Sequence, residues 1–390
     1  MSKKIYKTER ESYLIIFEDK SPLKETYGGS LEFGILKSTR LTPIGKDSKT
    51  VILFMHPIGG GEWLPMVTGL ADRGFHVIYC QSRYPNNDSA LIMEKVAIDM
   101  GNCIRHAKKK WAYENVILAG WSGGGSLSTF YQSQAEQPTI THTPAGEPIN
   151  FAEQNFIPAD GIMLLAAHIS RAGTLTEWID ASILDESKPE ARDPELNLYN
   201  PENSHQPPYT DEFIVRYRQA QKNRNRRITA WVKDKLAALK AAGREHDEHA
   251  FVVHGTMADP RWLDPTIDPN ERRPNWCYLG DPRIVNDGPV GLARFCTLRS
   301  WLSQWSIDDS NADGLSCAQK ITVPALVVGN LADDACTPSH TRRIYQAIGH
   351  SNKEMHEISG ANHYYLGQPD QMNSVIDIIS DWLEKNELMR

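Results

Sequence analysis

The first fifty residues alternate apolar and polar positions over two short stretches, near Tyr13–Phe17 and Ser30–Lys37. Ser21-Pro22 and Gly28-Gly29 stand between them as turn formers, so a strand, a turn and a second strand are expected. From position 51 the pattern changes. Val51–His56 is a continuous apolar run, as expected for a strand covered on both faces of a parallel sheet. A glycine-rich loop follows, then a helix over Leu64–Arg73 and a strand over Phe75–Cys80. Ile92, Val96, Met100, Cys103 and Ala107 keep helical spacing, with Asn87-Asp88-Ser89 placed to cap that helix. Asn115–Gly120, Ser126–Ala135 and Gly161–Ala167 continue as strand, helix, strand. This alternation predicts an α/β fold, with a mostly parallel central sheet flanked by helices.

The alternation stops near Arg171 and resumes near Ala318. Between them the chain is richer in Pro, Trp, Arg and Asp, with a long helix over Asp211–Ala242. Another helix is expected over Leu292–Gln304, with Leu298, Trp301, Leu302 and Trp305 on one face. Residues 171–317 therefore read as a large, mainly helical cap inserted into a core made of residues 1–170 and 318–390. The core closes with a strand at Pro324–Gly329, a helix at Thr341–Ile348, a strand at Met355–Ile358 and a helix from about Gln371.

Chemistry concentrates at the carboxyl ends of the expected strands. Gly120-Trp121-Ser122-Gly123-Gly124 joins an apolar strand to a helix, the context of a G-x-S-x-G nucleophile elbow. Side chains two residues before or after the serine would collide across so sharp a turn, and the helix N-terminus beyond favours developing negative charge. A serine hydroxyl needs a base. His363, in Gly360-Ala-Asn-His, follows the last short strand and suits that role. The acid belongs in Ala332-Asp333-Asp334-Ala-Cys-Thr-Pro338: Asp334 is preferred for its spacing to Pro338, and Asp333 stays open. Gly123 N–H offers one oxyanion-hole donor. The second is expected in His56-Pro57-Ile58-Gly59-Gly60-Gly61, at Ile58 first and Gly59 second, because Pro57 has no N–H.

These four segments resemble the α/β-hydrolase superfamily over roughly residues 48–170 and 318–390. The likeness implies a Ser-His-Asp hydrolase of carboxylic esters or thioesters working through an acyl-enzyme. The same superfamily includes C–C bond hydrolases, acyltransferases and non-catalytic members. Pro57 departs from the glycine many relatives carry after the histidine.

Composition changes this picture little. The 390 residues carry a formal charge of −7, which disfavours nucleic acid or an anionic membrane as main partner. No apolar run reaches a membrane span of about 18 residues, and the charged N-terminus lacks an apolar signal region. With six scattered cysteines and no C-x-x-C, a reduced, cytoplasmic protein is expected. The expected partner is a small acyl substrate; no metal or organic cofactor is required, and a homo-oligomer is compatible with these numbers. Arg224–Arg227 could turn a guanidinium inward to bind a carboxylate or phosphate. His168, past a strand end, is placed either in the pocket or in the core. His246 and His249 read as a solvated helix end, and His340, His350 and His356 as surface or helix-end residues.

Overall fold

The computed structural model describes residues 4–26 and 32–389; the Gly28-Gly29 turn and Ser30 lie outside them. An antiparallel hairpin, β1 (Thr8–Glu18) with β2 (Phe33–Pro43), forms one edge of the sheet. It is followed by β3 (Thr50–Phe54), β4 (His76–Cys80), β5 (Asn115–Ser122) and β6 (Gly161–Ala167). A short antiparallel ribbon, β7 (Ala250–Val252) with β8 (Phe295–Thr297), lies in the insertion. The chain returns to the sheet as β9 (Ala325–Asn330) and β10 (Lys353–Ile358). The eight-stranded order is β1-β2-β4-β3-β5-β6-β9-β10, parallel from β4 onward.

Alternation along the central strands sorts the core into two layers. On one face Leu53, Leu118, Leu164 and Val327 pack under α2 (Met93–Lys109) and α3 (Gly123–Glu136). On the other, Ile52, Ile117, Met163 and Val328 meet α1 (Pro65–Asp72) and the terminal helix Pro369–Lys385. Burying each such side chain is worth about 1.5–3 kcal/mol. The path from β3 leads first to β4 and then back across to β5, so the winding reverses between β3 and β5. A crevice opens at their carboxyl ends, where open α/β sheets bind ligands.

Residues between β6 and β9 form apolar clusters of their own. Trp178, Trp262, Trp301, Trp305 and Val232 make one, built on α4 (Arg171–Trp178) and α5 (Asp211–Ala241). Phe213, Tyr217 and Leu263 belong to a second. Ala312, Cys317 and Ala318 already pack in the α2/α3 layer, so the return to the sheet begins ahead of position 318.

Three local expectations differ. The helix α2 starts at Met93 with no side-chain cap. Asp88 instead pairs with Arg171 and accepts from the Ala293 N–H, 2.7 Å away, while Ser303 Oγ accepts from Met93 N–H at 2.8 Å. The stretch Leu292–Gln304 is not one helix: it gives β8, a single turn, and a π-helical turn at Trp301–Trp305. That wide turn stacks the two indoles, centroids 5.0 Å and 9° apart, with each N–H bonded to a partner outside it, Thr229 Oγ1 and the Ala293 carbonyl. Finally, Cys80 on β4 and Cys103 on α2 are joined in a disulfide, against the expectation of reduced thiols; the other four cysteines are free and buried.

Candidate active site

Ser122 ends β5 and precedes α3 with φ +54° and ψ −124°, a backbone conformation that a side-chain-bearing residue rarely holds. The surrounding glycines make it attainable, for different reasons. A Cβ on Gly120 would lie 2.6 Å from the Gly124 carbonyl oxygen, the collision across the turn that the sequence predicts. A Cβ on Gly124 would instead strike the Met55 carbonyl at the end of β3, 2.5 Å away.

His363 follows β10 and is almost fully buried. Its Nδ1 lies 2.7 Å from Asp333 Oδ2. The structure thus brings His363 to Asp333 and not to Asp334, correcting the preferred acid. The reason is local. Asp333 Oδ1 accepts from the N–H groups of Ala335 and Cys336, each at 2.8 Å, which turns the carboxylate inward and leaves Oδ2 for the imidazole. Asp334 points elsewhere, its carboxyl pushed up to about 6 by burial and by the neighbouring Asp333 charge. Its backbone carbonyl accepts from Trp262 Nε1 at 2.6 Å.

Trp121, the variable residue of the elbow, had no role predicted from sequence. Its indole N–H donates to the His363 carbonyl at 3.1 Å, and its ring lies 4.7 Å from the imidazole. It ties the loop after β10 to the elbow after β5.

A cavity of ≈ 250 Å³ joins these parts. Ser122, His363, His56, Ile58, the three loop glycines and His168 line it, with Trp63, Trp121, Trp178, Tyr278, Tyr364 and Leu292. His168 therefore lies in the pocket. Burial, then the nearby His340, His363 and His56, hold its imidazole well below its ordinary pKa. In the glycine loop the Ile58 N–H faces His56 Nδ1 at 3.4 Å, and the Gly59 N–H donates to the His56 carbonyl at 3.0 Å. Neither expected loop donor points freely into the cavity.

Cys336 is a residue sequence reasoning passed over. Its sulfur lies 3.3 Å from His168 Nδ1, and burial, then the Asp333 charge, raise its pKa well above that of a free thiol. Donor atoms of Asp333, Cys336 and His363 fall within 4.8 Å of one another. A protonated thiol and a carboxylate already accepting three hydrogen bonds make a poor cation site.

His340 is fully buried rather than at the surface, with Nε2 2.9 Å from Glu177 Oε2. The guanidinium groups near Arg224 are consumed internally: Arg224 is forked onto Glu186 and Arg226 onto Asp308. His246 and His249 are exposed.

No family model matches the chain, and no curated protein matches it. Among solved structures, a hypothetical protein from Pseudomonas aeruginosa superposes with a TM-score of 0.50 at 10% identity, covering 97% of this chain and 94% of that one. The fold is that of the α/β-hydrolases. A thermostable carboxyl esterase from Bacillus coagulans also resembles the chain, at TM-score 0.49 and 10% identity over 97% of this chain and 98% of that one. A monoacylglycerol lipase from Paleococcus ferrophilus does so at 0.44 and 15%, over 90% and 99%. Among the described residues, no helix is long and apolar enough to cross a membrane.

Proposed function

We propose that the protein is a serine hydrolase of small, uncharged carboxylic esters. The observation that carries this reading is the buried His363–Asp333 pair, 2.7 Å apart, opening on the same cavity as Ser122 on its strained turn. In the proposed reaction the Ser122 hydroxyl attacks the ester carbonyl and gives its proton to His363 Nε2. Asp333 orients the ring and stabilises the imidazolium. The tetrahedral oxyanion is held by the Gly123 N–H at the first turn of α3 and by a second donor near the His56–Gly61 loop. Collapse expels the alcohol with the proton from His363; water then repeats the sequence and frees the acid.

The lining supports the substrate class. Among the described residues, no Asp, Glu, Lys or Arg lines the cavity, and its walls are largely aromatic. An acyl-CoA would need cations for its phosphates, so oxygen esters are favoured over such thioesters. A cavity near 250 Å³ suits a short acyl chain.

The test uses p-nitrophenyl esters of graded chain length and a fluorophosphonate probe. Acetyl to butyryl esters are expected to turn over fastest, and Ser122→Ala to lose both turnover and labelling. Full activity in Ser122→Ala would overturn the mechanism.

A further inference from the structure

The loop after β3 carries a histidine, His56, that the mechanism so far leaves unused. Its surroundings fix both where the ring sits and where its proton is. The ring lines the cavity together with Ser122. Its Nδ1 faces the Ile58 N–H at 3.4 Å and so acts as an acceptor. An imidazole nitrogen that accepts carries no proton, and a neutral ring then bears its hydrogen on the other nitrogen, Nε2. Burial, with the Arg171 and His363 charges adding to it, brings the imidazole pKa down to about 3, so the ring is neutral at working pH.

The position of Nε2 is decided by Gly123. This glycine does not have a positive φ, so backbone conformation does not demand it. Space does: a Cβ there would lie 2.8 Å from His56 Nε2. The missing side chain lets the imidazole edge approach the residue whose N–H follows the nucleophile. A backbone N–H donor at Gly123 and a side-chain donor at His56 Nε2 thus lie close together at the cavity that Ser122 also lines. Meanwhile the loop N–H groups of Ile58 and Gly59 are turned to His56 itself.

We infer that His56 Nε2–H is the second oxyanion-hole donor, with Ile58 N–H a positioning group that fixes the ring's tautomer. This rests on the ester-hydrolase reading of Ser122. No proton is transferred at His56: the imidazole donates a hydrogen bond to the oxyanion as the Ser122 Oγ–carbon bond forms, and relinquishes it as the carbonyl is restored. A neutral donor also leaves the negative charge on the intermediate, whereas an imidazolium beside His363 would oppose that ring's own protonation.

The test compares His56→Ala, His56→Gln and Ser122→Ala on one short p-nitrophenyl ester, with melting temperatures for each. Loss of an oxyanion donor costs about 10²–10³ in kcat. His56→Ala is expected to show that loss with KM changed less than threefold. His56→Gln, whose amide can still donate, should recover at least tenfold over alanine, and neither variant should add a limb to the pH profile. If both folded variants keep wild-type kcat while Ser122→Ala is inactive, the role of His56 is overturned and the hydrolase reading stands. If glutamine is no better than alanine at equal melting temperature, the ring acts by packing and the inference also fails. Activity in Ser122→Ala would remove the hydrolase reading itself. Should alanine fail to fold, the glutamine variant against wild type decides: a fall of about 5- to 10²-fold at unchanged melting temperature supports the donor role, whereas wild-type kcat or a fall beyond 10²-fold overturns it.

Discussion

At the residue scale, two adjacent carboxylates separate by environment. Asp333 is held by two backbone N–H groups and faces His363, while Asp334 sits beside it with a raised pKa. Asp333→Asn would permit the wrong imidazole tautomer, and kcat is expected to fall by about 10³–10⁴. Asp334→Asn should keep activity within a few-fold of wild type on the same ester assay. Its stability carries a further signature. A carboxyl whose folded pKa is raised to about 6 favours the folded state when protonated and disfavours it when charged. Wild type therefore loses stability as pH climbs from the ordinary carboxyl range through about 6. The melting-temperature gain of Asp334→Asn should be small near pH 4 and reach its full size above pH 6; a gain that is flat with pH would contradict this. Sequence reduced the acid to these two residues. It could not separate them, because the choice depends on which carboxylate the following two N–H groups capture.

At the element scale, the strands and helices of the sheet were legible because each central strand is covered on both faces and reads as one apolar run. The elbow glycines were legible too, although Gly124 answers to β3 rather than to its own turn. Features set by contacts distant in sequence were not. Asn87-Asp88-Ser89 has capping chemistry, yet Asp88 is taken by Arg171 and Ala293, and the Met93 N–H that opens α2 finds its acceptor 210 residues away in Ser303. The same Ser303 hydroxyl donates to Glu94 Oε2 at 2.8 Å, a carboxyl whose pKa burial raises. Ser303→Ala would leave a buried N–H and a buried carboxylate each short of a partner, at a cost of about 1–3 kcal/mol. For a chain of this size that corresponds to a fall of about 1–4 °C in melting temperature, with kcat unchanged. Asp88→Ala, acting on the expected cap, should not disturb α2 in the same way: amide exchange at Met93 should rise in the first variant and not in the second.

At the scale of the whole molecule, the insertion does more than overhang the cavity. It grips the loop that carries Asp333, the proposed acid. Asn270 Nδ2 donates to the Asp333 carbonyl at 2.8 Å, Trp262 Nε1 to the Asp334 carbonyl at 2.6 Å, and Arg261 Nη1 to Thr337 Oγ1 at 2.8 Å. The insertion also supplies Trp178, Tyr278 and Leu292 to the cavity wall. Its sequence announced helices and tryptophans but not these contacts, since each is a single polar group reaching a backbone atom of another element. A misplacement of about 1 Å in a catalytic group can cost about 10²-fold in rate, so the grip should be visible in kinetics. Asn270→Ala removes the hydrogen bond to the Asp333 carbonyl together with the two that Asn270 Oδ1 accepts from the Arg272 N–H at 3.1 Å and Nη1 at 2.7 Å, and should cost about 1–3 kcal/mol of stability. Its kcat is expected to fall at least tenfold, with KM little changed because Asn270 does not line the cavity. Arg226→Ala breaks an exposed pair with Asp308 in the same insertion, remote from the loop, and should leave kcat alone. If both variants lower kcat equally, the insertion acts through its general stability rather than through its hold on Asp333.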